Sequence, residues 1–364
     1  MVSPKRRITQ RISKDARHSL KPLLALEVAM SQLQSKLNRI HRNLIYSRVY
    51  YGLEELKYLR SVEDFRAFFQ KTMYLMPRIT GTVDKFTEAP PSLQIEPTNC
   101  CNLRCICCSA PYSSRKRGYM DFELFKKIVN DAASSGTRRI YLYLHGEPML
   151  HPKIVDMIHY CKAKGLAVHI ATNGMLFTNG IIESILSNGA SRADQITFSI
   201  LGASKNVHEK IMVNVNHERV VKNIAALSQA RSTFGVNGPV IEAILYIMPE
   251  NTHEMDDFYR YWHGKVDHVR LGGDIKEAYA KNEAFEESSF SRTKTCPNIW
   301  ERMTIYWNGD VTLCIQDLDG EWILGNMEEQ SICEVWNSEK LLAIKAIHKN
   351  KQFGRFPFCQ KCDW

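Results

Sequence analysis

The spacing of apolar positions changes near residue 90. Between 23 and 44, Leu23, Leu26, Met30, Leu33, Leu37, Ile40 and Leu44 recur at alternating steps of three and four, a stripe of three heptads. The spacing predicts helix across 19–88. Its stripe would lie on a neighbouring domain or form a seam for a dimer or docked partner. The run "APP" at 89–91 breaks the pattern and marks a boundary.

Beyond it, short runs rich in β-branched and aromatic residues alternate with amphipathic stretches. "SLQIEPT" (92–98), "RRIYLYLHG" (138–146), "LAVHIATNG" (166–174), "DQITFSI" (194–200), "VIEAILYIM" (240–248) and "HVRLGG" (268–273) predict strands, each closed by turn formers. Helical periodicity occupies 120–134, 152–164, 178–188 and 216–234. Six strand–helix units predict an α/β chain with a parallel sheet, curved as a partial (β/α)6 barrel. In such a sheet the chemistry gathers at the C-terminal strand ends, where "HGEP", "TNG", "SILG" and a cysteine-rich loop all fall. Residues 275–295 are polar and aperiodic and read as a linker. In the 296–364 module that follows, "MTIYWNGDVTLC" predicts a hairpin with Asn308-Gly309 as a type I′ turn. The expected organisation is a basic helical extension (1–90), the barrel (91–274), the linker (275–295) and a small cysteine-rich domain (296–364).

Composition adds a compartment and a charge asymmetry. The 364 residues are 44% apolar and 24% charged, as in an ordinary globular chain. No uninterrupted apolar run reaches membrane-spanning length, and the basic start has no apolar core behind it as a secretory signal would. The expectation is a cytoplasmic protein without a membrane span. In a reducing compartment its eleven cysteines point to metal or cluster ligation rather than disulfides. Residues 1–90 hold 17 Lys+Arg against 8 Asp+Glu, the whole excess of +9, while 91–364 carries 31 of each. Any acidic partner therefore concerns the N-terminal segment. A neutral remainder without an array of stacking aromatics argues against nucleic-acid binding.

Five cysteines crowd residues 100–108. One selection gives Cys-x3-Cys-x2-Cys: Cys101, Cys105 and Cys108. Soft thiolates so spaced suit an iron–sulfur cluster, whose fourth iron three ligands leave open; by spacing alone a zinc knuckle remains possible.

"EPTNCCNLRCICC", "LHGEPMLHP", "ATNGML" and "FSILG", in that order at successive strand ends, resemble the radical SAM superfamily over residues 92–274. The resemblance implies a 4Fe–4S cluster on Cys101, Cys105 and Cys108, with S-adenosylmethionine (SAM) chelating the open iron. Reductive cleavage would release a 5′-deoxyadenosyl radical that abstracts a substrate hydrogen, after electron delivery by a flavodoxin or ferredoxin. It places the SAM amine near backbone oxygens of His145, Gly146 and Glu147, its carboxylate or ribose near Asn173 and Ser199, and adenosine near Asn251 and the backbone of Cys107. Cys100 occupies a position that varies in the family, and "IMVNVN" (211–216) departs from the expected Arg and Gly. Cys161 and Cys333 read as small buried hydrophobes.

Cys296-x12-Gly309-x4-Cys314, followed by Cys359-x2-Cys362, resembles the SPASM/Twitch auxiliary-cluster domains. The resemblance implies a second 4Fe–4S cluster on Cys296, Cys314, Cys359 and Cys362; a four-cysteine zinc site has the same ligand count. One four-cysteine set resembles dehydrogenases of the deoxy-scyllo-inosamine type. It implies oxidation of a small polyol, sugar or aminocyclitol with the second cluster as electron acceptor. The alternative is a maturase acting on a ribosomal precursor peptide.

Overall fold

In the computed structural model, residues 87–272, 295–356 and 359 are described. The stripe at 23–44, nearly all of the 1–90 extension and the 275–295 linker, and Cys362 lie outside them. Eleven strands follow in chain order among the described residues. They are β1 (Ser92–Ile95), β2 (Arg104–Cys105), β3 (Arg139–Leu142), β4 (Ala167–Thr172), β5 (Gln195–Ser199), β6 (Met212–Val213), β7 (Val240–Leu245), β8 (His268–Leu271), β9 (Arg302–Ile305), β10 (Asp310–Thr312) and β11 (Ile323–Asn326). All six expected barrel strands are present.

Strands β1, β3, β4, β5, β7 and β8 lie side by side in that order, every neighbouring pair parallel. Sequential parallel strands with right-handed crossovers put their helices on one face and curl the sheet around the other. The helices are Phe122–Ser135, Ile154–Ala163, Asn179–Ser187, His217–Thr233 and Met255–Trp262, with a shorter one at Lys205–Ile211. Their ends follow local chemistry. Asp121 caps the first by accepting the N–H groups of Glu123 and Leu124, and Gly136 ends it at φ +89°. Leu93, Ile95, Ile140, Leu142, Ile170, Phe198 and Ala243 are fully or almost fully buried on the helix-covered face.

The sheet continues past the barrel. β9 pairs with β1 in parallel, Ser92 opposite Arg302 and Ile95 opposite Ile305, and β10 and β11 extend it antiparallel. The C-terminal hairpin is thus grafted onto the barrel's first strand, a pairing of segments about 210 residues apart that no local pattern announces. Its turn also differs from the expected type I′. Tyr306 N–H bonds to Asp310 O and Gly309 N–H to Tyr306 O, with positive φ at Gly309 but not Asn308, so the loop is longer than two residues. Cys161 is fully buried, as expected, whereas Cys333 is only half-buried beside Asp131 and Glu88. No helix among the described residues is long and apolar enough to cross a membrane.

Candidate functional site

The cysteine loop leaves β1 at Glu96 and is fastened from three sides. Thr98 Oγ1 donates to Gly118 O (2.6 Å) and accepts Cys100 N–H (3.0 Å). Asn99 exchanges bonds with Lys116 O and Gly118 N, and the Arg117 guanidinium donates to Asn99 O (2.6 Å) and Ala110 O (2.7 Å). The third side comes from the departing "IMVNVN". Met212–Val213 forms β6, antiparallel to β2, with Cys105 opposite Met212 and Ile106 N–H bonded to Ile211 O (2.9 Å). Asn214 takes φ +75°, a conformation Asn tolerates, and Asn216 caps the next helix. The segment that breaks the family pattern is therefore a clamp on the cluster loop.

Cys101, Cys105 and Cys108 are half-buried, and Cys107 is buried. Burial drives all three acidities down: Cys101 is pushed up to about 11, with the charges of Glu147 and Cys108 adding to burial, Cys105 is raised by burial and the neighbouring thiols, and Cys108 is raised by burial alone. Backbone N–H groups nevertheless aim at two of the sulfurs, Leu103 N–H at Cys101 Sγ (3.4 Å) and that of Ala110 at Cys108. Mutually repelling thiolates with N–H donors on their sulfurs are a donor set that a cationic metal core satisfies. Cys107 interacts with the charges of Cys108 and Cys105 and, more weakly, with that of Glu250, and it adds to the field at Tyr246. Cys100 lies within hydrogen-bond reach of the Tyr119 hydroxyl.

The "HGEP" turn meets this loop directly. A side chain at Gly146 would come within 2.3 Å of Thr98 O and 2.6 Å of Cys100 O. Glu147 N–H donates to Cys100 O (2.9 Å), while its buried carboxylate accepts Thr172 Oγ1 (2.7 Å), Asn173 N–H (2.7 Å) and Met149 N–H (3.0 Å). Burial lifts this carboxyl to about 7 against those three bonds. The Asn173 side chain donates to Asn102 Oδ1 (2.8 Å), linking the end of β4 to the cysteine loop. His145, Gly146, Glu147 and Asn173 thus gather around that loop, and half-buried Ser199 closes β5. Asn251 is fully buried with both ends occupied: Oδ1 accepts Met248 N–H, and Nδ2 donates to Leu201 O and Tyr246 O. Its side chain staples two strand-end loops and leaves only the surrounding backbone to meet a ligand.

In the C-terminal module Cys296 and Cys359 are buried and Cys314 is half-buried. Cys296 N–H donates to His348 Nδ1 (3.2 Å), and Gln316 N–H approaches Cys314 Sγ at 3.5 Å, two residues on, as Leu103 does at Cys101.

Two groups of residues went unassigned from sequence. Glu96 and Arg115 form a bidentate pair (2.8 and 2.9 Å) with Arg115 stacked 3.7 Å over Tyr306, and Arg115 Nε donates to Leu318 O (2.9 Å). Burial opposes charge on Glu96, but bonds from Arg115 and the adjacent His145 hold its carboxyl at about 2. The second group lies on the sheet face opposite the helices. There His169 Nε2 lies 2.8 Å from Thr197 Oγ1, Thr197 donates to Glu242 (2.8 Å), and Arg270 grips Glu242 with Nε (3.1 Å) and Nη2 (3.0 Å). Gln195 donates to both Thr197 and Glu242. Farther along, Arg302 donates to Gln94 (2.7 Å) and stacks on Tyr141. The available signal was the polar residue at alternate positions of otherwise apolar strands, as in "VIEAIL" and "HVRL".

Comparison with known proteins follows the same division. Residues 95–261 match the family model of the radical SAM superfamily, and 296–363 match that of an iron–sulfur cluster-binding domain, SPASM. Proteins of these families bind 4Fe–4S clusters and SAM. A cofactor-modifying protein for the tungsten-containing aldehyde ferredoxin oxidoreductase of Pyrococcus furiosus is 26% identical, covering 74% of this chain and 86% of that protein. Among solved structures, BtrN in complex with AdoMet and 2-DOIA superposes with TM-score 0.52 at 17% identity, over 77% of this chain and 94% of BtrN. Streptococcus suis SuiB bound to its precursor peptide SuiA gives 0.54 at 16%, over 79% and 73%. At such identities the two structures show a shared fold.

Proposed function

We propose, for a chain that belongs to the radical SAM superfamily and carries a C-terminal SPASM-type cluster domain, an oxidoreductase of small, hydroxyl-bearing substrates. Cys101, Cys105 and Cys108 would hold the first cluster, and Cys296, Cys314, Cys359 and Cys362 the second. Loaded with cluster and SAM, the site would supply a 5′-deoxyadenosyl radical that takes one hydrogen atom from substrate carbon. The protein's own part is to bind, orient and exclude water. Gly146 and Glu147 hold the cysteine loop against the ends of β3 and β4, and the loops after β4, β5 and β7 surround the SAM position with Asn173, Ser199 and the backbone around Asn251.

The observation that carries the substrate class is the polar chain His169–Thr197–Glu242–Arg270 on the sheet face opposite the helices, buried except at Arg270. The Arg270 side chain remains 42% exposed while Glu242 is 9% exposed, so the pair presents charge and hydrogen-bonding edges to a ligand while staying internally compensated. Such a surface suits alternating hydroxyl donors and acceptors of a polyol, sugar or aminocyclitol, and is costly to cover with an apolar side chain. Oxidation of a carbinol needs an acceptor for a second electron, which gives the second cluster its reason. A flavodoxin or ferredoxin would deliver the first.

The test is anaerobic incubation of reconstituted protein with reductant, SAM and carbinol-deuterated polyols and aminocyclitols. Deuterium in the 5′-deoxyadenosine formed is the expected result; deuterium transfer solely from a labelled peptide would sink the assignment. The peptide-maturase reading keeps one observation in its favour: the excess of +9 within residues 1–90 suits an acidic leader peptide.

A further inference from the structure

One side chain ties the Cys314 loop to the barrel and has no part in the function described so far. His145, directly before Gly146, lies between Arg115 and Ile315. Arg115 Nη2 is 3.1 Å from His145 Nδ1. Nδ1 also faces Glu96 Oε1 at 3.5 Å, and because the Ile315 carbonyl on the other side of the ring can only accept, the ring carries a proton on Nε2. Nε2 is 3.0 Å from Ile315 O and donates to it. That carbonyl shares its peptide unit with Gln316 N–H, which points at Cys314 Sγ from 3.5 Å. A trans peptide directs its C=O and N–H oppositely, so imidazole and sulfur hold the two ends of one amide dipole. Donation to the carbonyl polarises the amide and strengthens its N–H toward sulfur.

The loop has other anchors. Ser113 Oγ and Arg115 Nε both donate to Leu318 O, Ser114 N–H donates to Asp319, and Asp317 N–H donates to Cys314 O. Loss of the imidazole donor would therefore change the dipole more than the path of the chain.

We propose that His145 is a positioning residue that raises the reduction potential of the auxiliary cluster through the Ile315–Gln316 peptide. The inference rests on Cys314 being a cluster ligand. Hydrogen bonds to ligand sulfurs are one of the levers on cluster potentials, and a donor favours the more negative, reduced state. One electron enters the cluster; His145 keeps its proton, and no bond is made or broken. The device would make this cluster the better electron acceptor that a two-electron oxidation requires.

The experiment uses the full chain with Cys101, Cys105 and Cys108 all changed to Ala, which leaves the auxiliary site as the sole cluster site. His145→Phe removes the donor and His145→Asn is too short to reach Ile315. His145→Gln retains an N–H of suitable length. Midpoint potentials are read by EPR-monitored titration, and exchange of the Gln316 amide by hydrogen–deuterium mass spectrometry. The Phe and Asn variants are expected to shift the reduction equilibrium toward the oxidised cluster by about tenfold, ~59 mV for one electron, with faster exchange at Gln316. The Gln variant recovers most of both. Wild-type potential in either the Phe or the Asn variant, at equal iron content, overturns the inference. Absence of iron from the triple-Ala protein overturns the ligand assignment itself, and the inference with it.

Discussion

Glu147 donates its backbone N–H to the carbonyl of Cys100 at 2.9 Å, one residue before the first thiol of the Cys-x3-Cys-x2-Cys triad. The contact requires the preceding residue to be glycine, because any Cβ at Gly146 would strike the Thr98 and Cys100 carbonyls. Gly146→Ala must displace one loop or the other. The expected cost is about 3 kcal/mol in urea unfolding, together with diminished iron uptake at the triad. Wild-type stability and iron content in this variant would show that the two loops are not in register contact.

Single Cys101→Ala, Cys105→Ala or Cys108→Ala variants are expected to abolish 5′-deoxyadenosine formation, measured by chromatography after anaerobic incubation with SAM and reductant. Cys314→Ala is expected to keep SAM cleavage but uncouple it from substrate oxidation. Iron counting should separate the two groups, each losing about four irons per chain. Cleavage that persists without Cys105 contradicts the ligand assignment.

The Glu96–Arg115 pair makes acid stability a readout of the junction between barrel and C-terminal hairpin. With its carboxyl lowered from an ordinary 4.5 to about 2, Glu96 binds its proton more weakly in the folded chain than in the unfolded one. Its stabilisation is therefore complete above pH 4.5 and is lost as pH falls through about 2. The amount is on the order of 3 kcal/mol. Arg115→Ala strands the buried carboxylate and should cost about 3–5 kcal/mol near neutral pH. Thermal unfolding followed from pH 6 to pH 2 checks both; the variant should lose this part of the pH dependence.

Thr197→Val preserves shape while cutting the link between His169 and Glu242. The expected destabilisation is about 1–2 kcal/mol, since the hydroxyl both donates and accepts in a buried setting. Substrate KM should rise while SAM cleavage without substrate is unchanged. An unaltered KM for the deuterated polyol that labels 5′-deoxyadenosine would remove this chain from substrate binding.

Much of the barrel was legible because its signals are local. Strands such as "LAVHIATNG" carry their own β-branched runs and closing glycines, and Asp121 and Gly136 mark the ends of one helix. The short helices at Lys205–Ile211 and Met255–Trp262 went unassigned, being brief and, in the first, without a clear stripe. The hairpin after 302 was visible, but its turn type was not. An Asn-Gly pair permits type I′, while the actual loop length is fixed by the Tyr306–Asp310 bond and by Met327 N–H donating to Gly309 O (2.9 Å).

The sequence by itself determined the strand–helix alternation and the spacing of the cysteines, since each depends on residue type and position along the chain. Only the tertiary structure decided that β9 pairs with β1, that "IMVNVN" clamps the cysteine loop, and that Glu96, Arg115 and His145 join the barrel to the Cys314 loop. The physical reason is separation. These contacts unite segments about 20 to 210 residues apart, and a buried charge or imidazole reveals its partner only when the chain has closed around it.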